Sequence, residues 1–287
     1  MRHFQNRHII IVLLVLLLFA SGCRVNPATG RKQFVVISEK QEIAMGRKAA
    51  GGLEKHFGGK VPSTKLQEYV RSVGRKVAEV ADRKMPYEFT LLASDVPNAF
   101  ALPGGMVYVT AGLMKKMSNE RQLAAVLGHE VGHVCALHNV HAMQRQWGAK
   151  ALLKLAQYAM EAEYASAAQT ATEYTTKFLN LRYSRKDEYQ ADELGVRYMS
   201  RAGYNPYGMV ELMEILLKQK KGKGKKKESS FFELFQSHPL TRKRIEQVRE
   251  HLSLDYHQHL PPKPDPHTAQ FLEMRQLLIA TLKGEKL

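Results

Sequence analysis

The sequence predicts a helix-dominated α+β domain with a small β-sheet. Apolar residues recur at helical spacing over long segments, as at Leu66, Val70 and Val73. Strand-like runs are short, chiefly "YEFTLLAS" at 87–94 and "MVYVT" at 106–110. The chain has 287 residues, of which 44% are hydrophobic. This composition is sufficient to bury one large core.

The first 22 residues have the pattern of a lipoprotein signal peptide. Arg2 and Arg7 precede an apolar run of twelve residues at 9–20, which is shorter than the roughly 20 residues that a membrane-spanning helix needs. The following "ASGC" resembles a bacterial lipobox, in which Cys23 becomes the lipidated mature N-terminus. Arg24 after this cysteine favours the outer membrane. An ordinary cleaved leader and a short membrane anchor are the alternatives.

The N-terminal half contains the predicted sheet. Residues 23–38 are predicted to form an extended arm that leads from the membrane, and a helix follows near 39–57. Pro-Gly-Gly at 103–105 predicts a turn. The segments on its two sides, 99–102 and 106–110, are therefore expected to pair as a hairpin.

The C-terminal half is predicted to be mainly helical. Helical patterns occupy about 119–142, parts of 148–180 and about 184–202. One domain therefore extends over 39–257, with a Lys-rich insertion at 218–230. Residues 258–287 are predicted to form a Pro-rich linker and a C-terminal helix.

The chain is strongly basic, with a net charge of +16. Part of this charge is concentrated in "KQKKGKGKKK" at 218–227. This run fits either a solvated surface loop or a contact with anionic lipid or lipopolysaccharide headgroups. The export signal argues against nucleic acid as a partner. The chain has two cysteines, and if Cys23 carries lipid, Cys135 has no partner for a disulfide bond.

The strongest chemical signal is "HEVGH" at 129–133. Because His129 and His133 are four residues apart on a predicted helix, their imidazoles share one face and can bind the same zinc ion. Glu130 lies about 100° around the helix from His129. It is predicted to be the general base of a hydrolytic reaction. His138 and His141 would point away from this face of a continuous helix and are interpreted as capping or surface residues.

A catalytic zinc ion needs a third protein ligand. The downstream carboxylates that could supply it are Glu161, Glu163, Glu173, Asp187, Glu188 and Asp192. The segment "SRKDEYQADELG" is the best candidate, because Glu188 and Asp192 lie on one helix face. One could bind zinc while the other hydrogen-bonds a ligand histidine. A solvent-facing acidic pair beside Arg185 and Lys186 is the alternative.

Five ordered segments resemble the HtpX-like and CAAX-prenyl-protease superfamily of zinc metallopeptidases, in particular its periplasmic BepA/LoiP-type lipoprotein branch. They are "NAFALPGGMVYVTAGLM", "ERQLAAVLGHEVGHVCALH", "SRKDEYQADELG", "GYNPYGM" and "SHPLTRKRI". The resemblance covers about 23–252 and implies a gluzincin-type zincin fold. It also implies one zinc ion bound by His129, His133 and Glu188. Glu130 would be the general base.

The resemblance implies further roles around the zinc ion. Asp192 would be the carboxylate that orients a zinc ligand. His238 would either occupy the fourth zinc position as an inhibitory plug or stabilise the transition state; a histidine at a helix start is the alternative. The residues implied to bind substrate are Asn98, Ala99, Phe100 and Ala101. Their strand edge would pair with an extended substrate, and Asn98 would orient a substrate carbonyl, whereas a plain hairpin is the alternative.

These expectations describe a lipid-anchored zinc endopeptidase of the bacterial periplasm that degrades misfolded or stalled envelope proteins, including outer-membrane proteins. A second hypothesis is a chaperone-like or scaffold envelope lipoprotein with a latent or structural zinc site. A third is a cationic envelope-binding protein that acts through 218–227.

Overall fold

The computed structural model describes residues 23–158, 171–221, 238–255 and 265–285. The signal peptide at 1–22 and most of the Lys-rich insertion lie outside the described residues, and so do Glu161 and Glu163. Helices dominate the described part of the chain, and a three-stranded sheet accompanies them. The prediction of a helix-dominated α+β domain is therefore confirmed.

The N-terminal segment folds back on itself, whereas the sequence predicted an extended arm. Strands β1 (Cys23–Val25) and β2 (Lys32–Phe34) pair antiparallel. Between them, the Asn26 side chain accepts a hydrogen bond from the backbone N–H of Ala28 at 2.8 Å. Asn26 Nδ2 also donates to the Cys135 carbonyl at 2.9 Å. A buried polar side chain thus closes the turn and holds the hairpin against the domain.

Two amphipathic helices follow, α1 (Glu39–His56) and α2 (Thr64–Glu79). Each begins after a serine whose side chain accepts a hydrogen bond from a backbone N–H in the first turn, Ser38 for α1 and Ser63 for α2. The predicted apolar stripe of α2 is buried in the main core. The apolar face of α1, with Met45, Ala49 and Leu53, instead packs in a second apolar cluster.

The sheet consists of β3 (Glu88–Leu92), β4 (Ala99–Leu102) and β5 (Met106–Thr110). Its order is β3-β5-β4, with β5 parallel to β3 and antiparallel to β4. The predicted hairpin is confirmed, and Gly104 and Gly105 make its turn with φ values of 86° and 96°, which favour glycine. Strand β4 lies at one edge of this sheet.

The short helix α3 (Ala111–Met114) leads to the central helix α4 (Glu120–Cys135), and α5 (His138–Tyr158) follows. All 16 residues of α4 are buried. The prediction of one helix over 119–142 is wrong, because Leu137 has a φ of 64°. This left-handed conformation is unfavourable for a residue other than glycine, and it separates α4 from α5.

The remaining helices are α6 (Ala171–Leu179), α7 (Arg185–Arg201), α8 (Gly208–Lys221), α9 (Arg242–Asp255) and α10 (Thr268–Lys283). Helix α7 confirms the helix predicted at about 184–202. Helix α10 agrees with the predicted C-terminal helix and buries Phe271, Met274 and Leu278 in the main core. Among the described helices, none combines the length and apolar character of a bilayer span.

The contact between α4 and α7 is close because glycines lie in it. A Cβ atom added to Gly195 on α7 would lie 3.0 Å from the backbone nitrogen of His129. One added to Gly132 on α4 would lie 3.0 Å from the carbonyl oxygen of Ala191. The two backbones therefore touch, and this brings the histidine motif of α4 to the acidic residues of α7.

Candidate metal centre

Helix α4 places both motif histidines at one point of the interior. The Asn119 side chain caps the helix by accepting a hydrogen bond from the Gln122 backbone at 3.1 Å. His129 and His133 are buried, and their Nε2 atoms lie 3.0 Å apart. The four-residue spacing therefore places the two imidazoles on one helix face, as predicted.

Helix α7 brings Glu188 to the two histidines. The helix begins with a capping box, in which the Ser184 side chain and the Asp187 carboxylate each accept a backbone hydrogen bond from the other residue. Glu188 follows in the first turn and has no exposed surface. Its Oε1 lies 3.4 Å from His133 Nε2, and its Oε2 lies 3.7 Å from His129 Nε2.

His238 completes a cluster of four buried side chains. Its Nδ1 lies 3.0 Å from Glu188 Oε1 and 3.4 Å from His129 Nε2. The possible ligand atoms of His129, His133, Glu188 and His238 all lie within 4.8 Å of one another. His238 thus belongs to the same cluster as the three predicted zinc ligands.

The distances and the donor types fit a zinc ion. A tetrahedral zinc ion with bonds of about 2.0–2.2 Å separates its ligand atoms by roughly 3.3–3.6 Å. The separations between His129, His133 and Glu188 span 3.0–3.7 Å. Imidazole nitrogens and a carboxylate are ligands that zinc prefers.

The protonation states also favour metal binding. Burial lowers the pKa of His133 well below its usual value, which keeps the imidazole neutral. Burial alone would raise the pKa of Glu188, but the charges of His238 and Arg244 lower it well below its usual value. A neutral imidazole and an ionised carboxylate are the forms that bind a metal ion.

The second ring nitrogen of each motif histidine faces another polar group. Asp192 Oδ1 lies 2.9 Å from His129 Nδ1 as a charge contact without hydrogen-bond geometry, and His138 Nδ1 lies 3.0 Å from His133 Nδ1, within hydrogen-bond distance. Such contacts fix the orientation of a ligand ring. The interpretation of His138 as a capping or surface residue is wrong, because the chain turns at Leu137 and buries it. His141, by contrast, is only partly buried.

No pattern in the sequence pointed to Arg244 on α9. It is 5% exposed and donates two hydrogen bonds to Asp192, at 2.7 and 2.8 Å. It also donates to Glu188. One guanidinium therefore holds both carboxylates of α7 in place. Its sequence signal was weak, because it is one of three basic residues in "TRKRI".

Glu130 lies beside the cluster and is almost fully buried. Its Oε1 is 3.7 Å from His238 Nε2, and its Oε2 has no hydrogen-bond partner among the described residues. Burial raises the pKa of Glu130 above its usual value, although His238 and His129 oppose the shift. A carboxylate with a raised pKa is suited to accepting a proton and returning it.

The predicted substrate edge is partly occupied by the protein itself. The Asn98 carbonyl accepts a hydrogen bond from Thr110 at 3.0 Å, so the antiparallel alternation directs the backbone groups of Ala99 and Ala101 away from β5. The Ala101 backbone hydrogen-bonds Glu130, and its carbonyl accepts from Asn139 at 2.9 Å. Asn98 Oδ1 is buried without a partner in the described part of the chain.

The other acidic candidates stand apart from the cluster in the described chain. Glu173 is exposed on α6, and Asp187 caps α7 with its carboxylate 3.9 Å from His138. Asp192 faces the outer nitrogen of His129. Among the described carboxylates that were candidates for the third zinc ligand, Glu188 is the one that clusters with the histidines.

Two histidines one helical turn apart, joined by a glutamate from a second helix, define a zinc-metallopeptidase centre. A comparison with protein families gives the particular family. The chain belongs to peptidase family M48, whose model matches residues 64–252. The predicted resemblance is therefore confirmed.

Curated relatives agree with this family. The chain is 30% identical over 243 residues to the beta-barrel assembly-enhancing protease of Escherichia coli (strain K12). This aligned region covers 80% of this chain and 48% of that protein. It is 30% identical over 164 residues to metalloprotease LoiP of the same strain, covering 57% of this chain and 62% of LoiP. It is 28% identical over 232 residues to mitochondrial metalloendopeptidase OMA1 of Schizosaccharomyces pombe, covering 79% of this chain and 65% of that protein. The chain thus spans about half the length of the first of these relatives.

Proposed function

We propose that this protein is a zinc-dependent endopeptidase of the bacterial cell envelope that degrades misfolded or stalled membrane and periplasmic proteins. The observation that carries the proposal is the buried cluster of His129, His133, Glu188 and His238, with Glu130 beside it. Family membership supports peptide hydrolysis. The name of a relative, a beta-barrel assembly-enhancing protease, supports envelope proteins as substrates.

In this proposal His129, His133 and Glu188 hold one zinc ion. When bound, the ion supplies a Lewis acid that polarises the scissile carbonyl. Glu130 accepts a proton from the attacking water and passes it to the leaving amine. Asp192 orients His129 at its Nδ1 atom. The roles proposed for the zinc ligands, for Glu130 and for Asp192 thus match the positions of these side chains in the cluster.

The edge of β4 is the proposed site for the substrate backbone. Ala99 directs its backbone groups away from β5, so its N–H and C=O can pair with an extended chain. The backbone of Ala101 could pair with the substrate only if its hydrogen bonds to Asn139 and Glu130 were broken. In this proposal Asn98 Oδ1, which lacks a partner among the described residues, accepts a hydrogen bond from a substrate N–H. Pairing of this kind selects unfolded segments, because folded proteins rarely offer a free extended backbone.

His238 has two proposed roles, and both use its place in the cluster. As a fourth ligand it would exclude water from the metal and hold the enzyme inactive. As a hydrogen-bond donor it would stabilise the transition state. A His238→Ala variant separates the two, because removal of a plug accelerates peptide hydrolysis and removal of a donor slows it.

A lipid on Cys23 is the proposed membrane anchor. Cys23 begins β1, and the hairpin is fixed to the domain through Asn26. Such an anchor would hold the catalytic domain close to the outer membrane without a long tether. Contact of 218–227 with anionic lipid or lipopolysaccharide is proposed from charge alone, and most of that segment lies outside the described residues.

The test of the enzymatic proposal is a Glu130→Gln variant. We expect it to retain zinc and to cleave casein about 10²- to 10⁴-fold more slowly than the wild type, because the proton acceptor is lost. Casein digestion and zinc content are measured on the same preparations. Suppression of aggregation of an unfolded envelope protein is measured in parallel. Casein cleavage that persists in the variant would contradict the role of Glu130 as the general base. A wild type that suppresses aggregation but cuts nothing would favour the chaperone-like alternative.

A further inference from the structure

A cavity of about 330 Å³ lies beside the N-terminal segment and shares no lining residue with the metal cluster. Its walls come from the segment that follows β2, from one face of α1 and from α5. The residues that line it include Val36, Ile37, Ala44, Met45, Lys48 and Trp147. The cavity is therefore mainly apolar, with a lysine in its wall.

Trp147 supplies an unpaired hydrogen-bond donor in this lining. Its indole nitrogen is buried and has no hydrogen-bond partner among the described residues. A buried N–H without an acceptor is unfavourable, and a ligand that carries an oxygen atom would supply one. Phospholipids combine apolar chains with ester and phosphate oxygens, so their chemistry matches both the apolar lining and the unpaired donor.

The wall on the N-terminal side is fixed to α5 by Gln144. The Gln144 side chain donates to the Phe34 carbonyl at 3.2 Å and accepts from the Val36 N–H at 3.3 Å. Val35 and Ile37 are buried in the second apolar cluster, whereas Val36 between them is 58% exposed. The extended alternation therefore keeps one large apolar side chain on the outer surface, beside the cavity.

The hairpin adds an apolar and a basic side chain to this surface. Val25 pairs with Lys32 across the two strands, so both side chains lie on one face. Val25 is 60% exposed, and Lys32 is exposed. We call Val25, Lys32 and Val36 the docking face. Cys23, the proposed lipid site, begins the same strand as Val25, so an attached lipid would enter a bilayer next to this face.

The distance from Cys23 to the cavity is short. The Cα atoms of Cys23 and Phe34 are cross-strand partners, which are about 5.5 Å apart or less. Val36 follows Phe34 by two residues, which span at most about 7 Å. The backbone at Cys23 therefore lies within about 13 Å of the backbone at the rim of the cavity.

The charge around the cavity favours an anionic partner. Residues 23–38 include three basic residues and no acidic one, and residues 138–148 include no acidic one. The acidic residues in the first turn of α1, Glu39 and Glu42, lie more than about 130° from Ala44 around the helix axis. Three exposed basic residues lie within about 60° of Ala44 around that axis: Lys40, Arg47 and Lys48.

We propose that the docking face lies against a bilayer that contains anionic phospholipid, and that the cavity takes one acyl chain of such a lipid. Val25 and Val36 enter the interfacial region, the basic residues contact headgroup phosphates, and Trp147 donates to a lipid oxygen. The position of the bilayer rests on the proposed lipid anchor at Cys23, whereas the contact itself does not depend on the proposed peptidase chemistry. Attachment at two places would give the anchored domain a fixed orientation on the membrane.

The test uses the fluorescence of Trp147, which reports on this site alone because the chain has one tryptophan. The chain from residue 23, with Cys23→Ser so that no lipid is attached, is mixed with vesicles of phosphatidylethanolamine and phosphatidylglycerol. We expect a blue shift of the emission, and quenching when the acyl chains of the phospholipids carry bromine. Binding to vesicles of phosphatidylcholine alone should be at least about tenfold weaker, because the anionic attraction is absent.

Two variants test the docking face. Val36→Asp should weaken binding to the anionic vesicles by at least about tenfold, because the burial of an apolar side chain is lost. Lys32→Gln should weaken it by about fivefold, as expected for one basic residue near an anionic surface. Leu254→Asp on α9 and Lys65→Gln on α2 are the matched controls, because Leu254 is 69% exposed and the Lys65 side chain is 63% exposed. Neither control should change binding.

A third variant tests the cavity. Ala44→Phe places a phenyl ring in the space of the acyl chain, so we expect most of the quenching by brominated chains to be lost while vesicle binding through the docking face persists. Ala269→Phe on α10 is its control, because Ala269 is exposed and does not line this cavity. Thermal unfolding, zinc content and casein cleavage are measured for every variant to establish folding.

Several results would overturn this inference. They are equal binding to both kinds of vesicle, an emission that anionic vesicles leave unchanged, and quenching that Ala44→Phe does not reduce. Binding that Val36→Asp and Lys32→Gln leave unchanged would assign it to another surface, such as 218–227. An emission shift that requires the lipid on Cys23 would place the chain's own acyl group in the cavity and would equally contradict the inference.

Casein cleavage by the same preparations separates this inference from the proposed function. A chain that cuts casein but fails these vesicle tests would contradict the membrane contact and leave the endopeptidase intact. A zinc-loaded chain that passes the vesicle tests and cuts no casein would support the membrane contact and contradict the proposed function.

Discussion

The metal cluster differs from the adjoining cleft, the cavity between the C-terminal end of α1, strand β4 and α6 with the segment that follows it. Around the cluster, the two carboxylates of α7 are paired, because Arg244 alone binds Asp192 and Glu188. Two other polar atoms there, His129 Nδ1 and Glu130 Oε2, have no hydrogen-bond partner among the described residues. In the cleft, Asn98 Oδ1 lacks a partner among the described residues, and a cavity stays open beside it. The comparison teaches that the fold pairs the carboxylates beside the metal ligands with a buried cation and leaves an acceptor unpaired where a substrate would bind. Local departures from good packing are expected at such functional sites.

The largest expected effect is in the metal region, at Arg244. An Arg244→Met variant leaves Asp192 and Glu188 buried without their cation, so we expect it to lose about 3–5 kcal/mol of unfolding free energy. It should also lose zinc, because both carboxylates are released. Urea denaturation and metal analysis provide the measurements.

The same helix supplies a control for this prediction. Arg249 pairs with Glu214 on the surface, where its side chain is 48% exposed. An Arg249→Met variant should change the unfolding free energy by less than about 1 kcal/mol. Similar losses in the two variants would contradict the special role of Arg244.

A smaller effect is expected from Gly195→Ala at the contact of α4 and α7. The added methyl group would lie 2.8 Å from Met209 and 3.0 Å from the His129 backbone. We expect about 1–3 kcal/mol of destabilisation and weaker zinc binding, because α7 must shift away from α4. Thermal unfolding with and without a chelator measures both effects. Gly148→Ala on α5 is the control, since a Cβ atom there would meet nothing within 4 Å, and its stability should be unchanged or slightly higher.

The smallest effect on stability is expected in the cleft. Asn98 Oδ1 makes no hydrogen bond within the described chain, so an Asn98→Ala variant should change the unfolding free energy by no more than about 0.5 kcal/mol. Its rate of casein cleavage should fall by about twofold to tenfold, as expected for the loss of one hydrogen bond. A variant with a much lower unfolding free energy, or one with full activity, would contradict the proposed difference between the metal cluster and the cleft.

Regular patterns in the sequence predicted much of the metal region. The four-residue spacing of His129 and His133 fixed their relation on one helix, and the same spacing paired Glu188 with Asp192 on another. Spacing alone did not decide which carboxylate meets the histidines. That choice depends on the contact of α4 with α7, where backbones approach at glycines.

The unpredicted features depend on tertiary structure. Leu137 adopts a left-handed conformation that residue preferences disfavour, so the chain turn that buries His138 had no local signal. Arg244 lies 52 positions after Asp192 in the chain, and no spacing rule links the two. The cleft likewise depends on where α6 packs, because its walls come from three separate parts of the chain.

The most direct test is the zinc content of the purified wild type and of a Glu188→Gln variant, which retains the size of the side chain but not its charge. The account predicts one tightly bound zinc ion per chain in the wild type and its loss from the variant, with helical content preserved by circular dichroism. A wild type that binds no zinc tightly, or a folded variant that keeps a full equivalent, would contradict it.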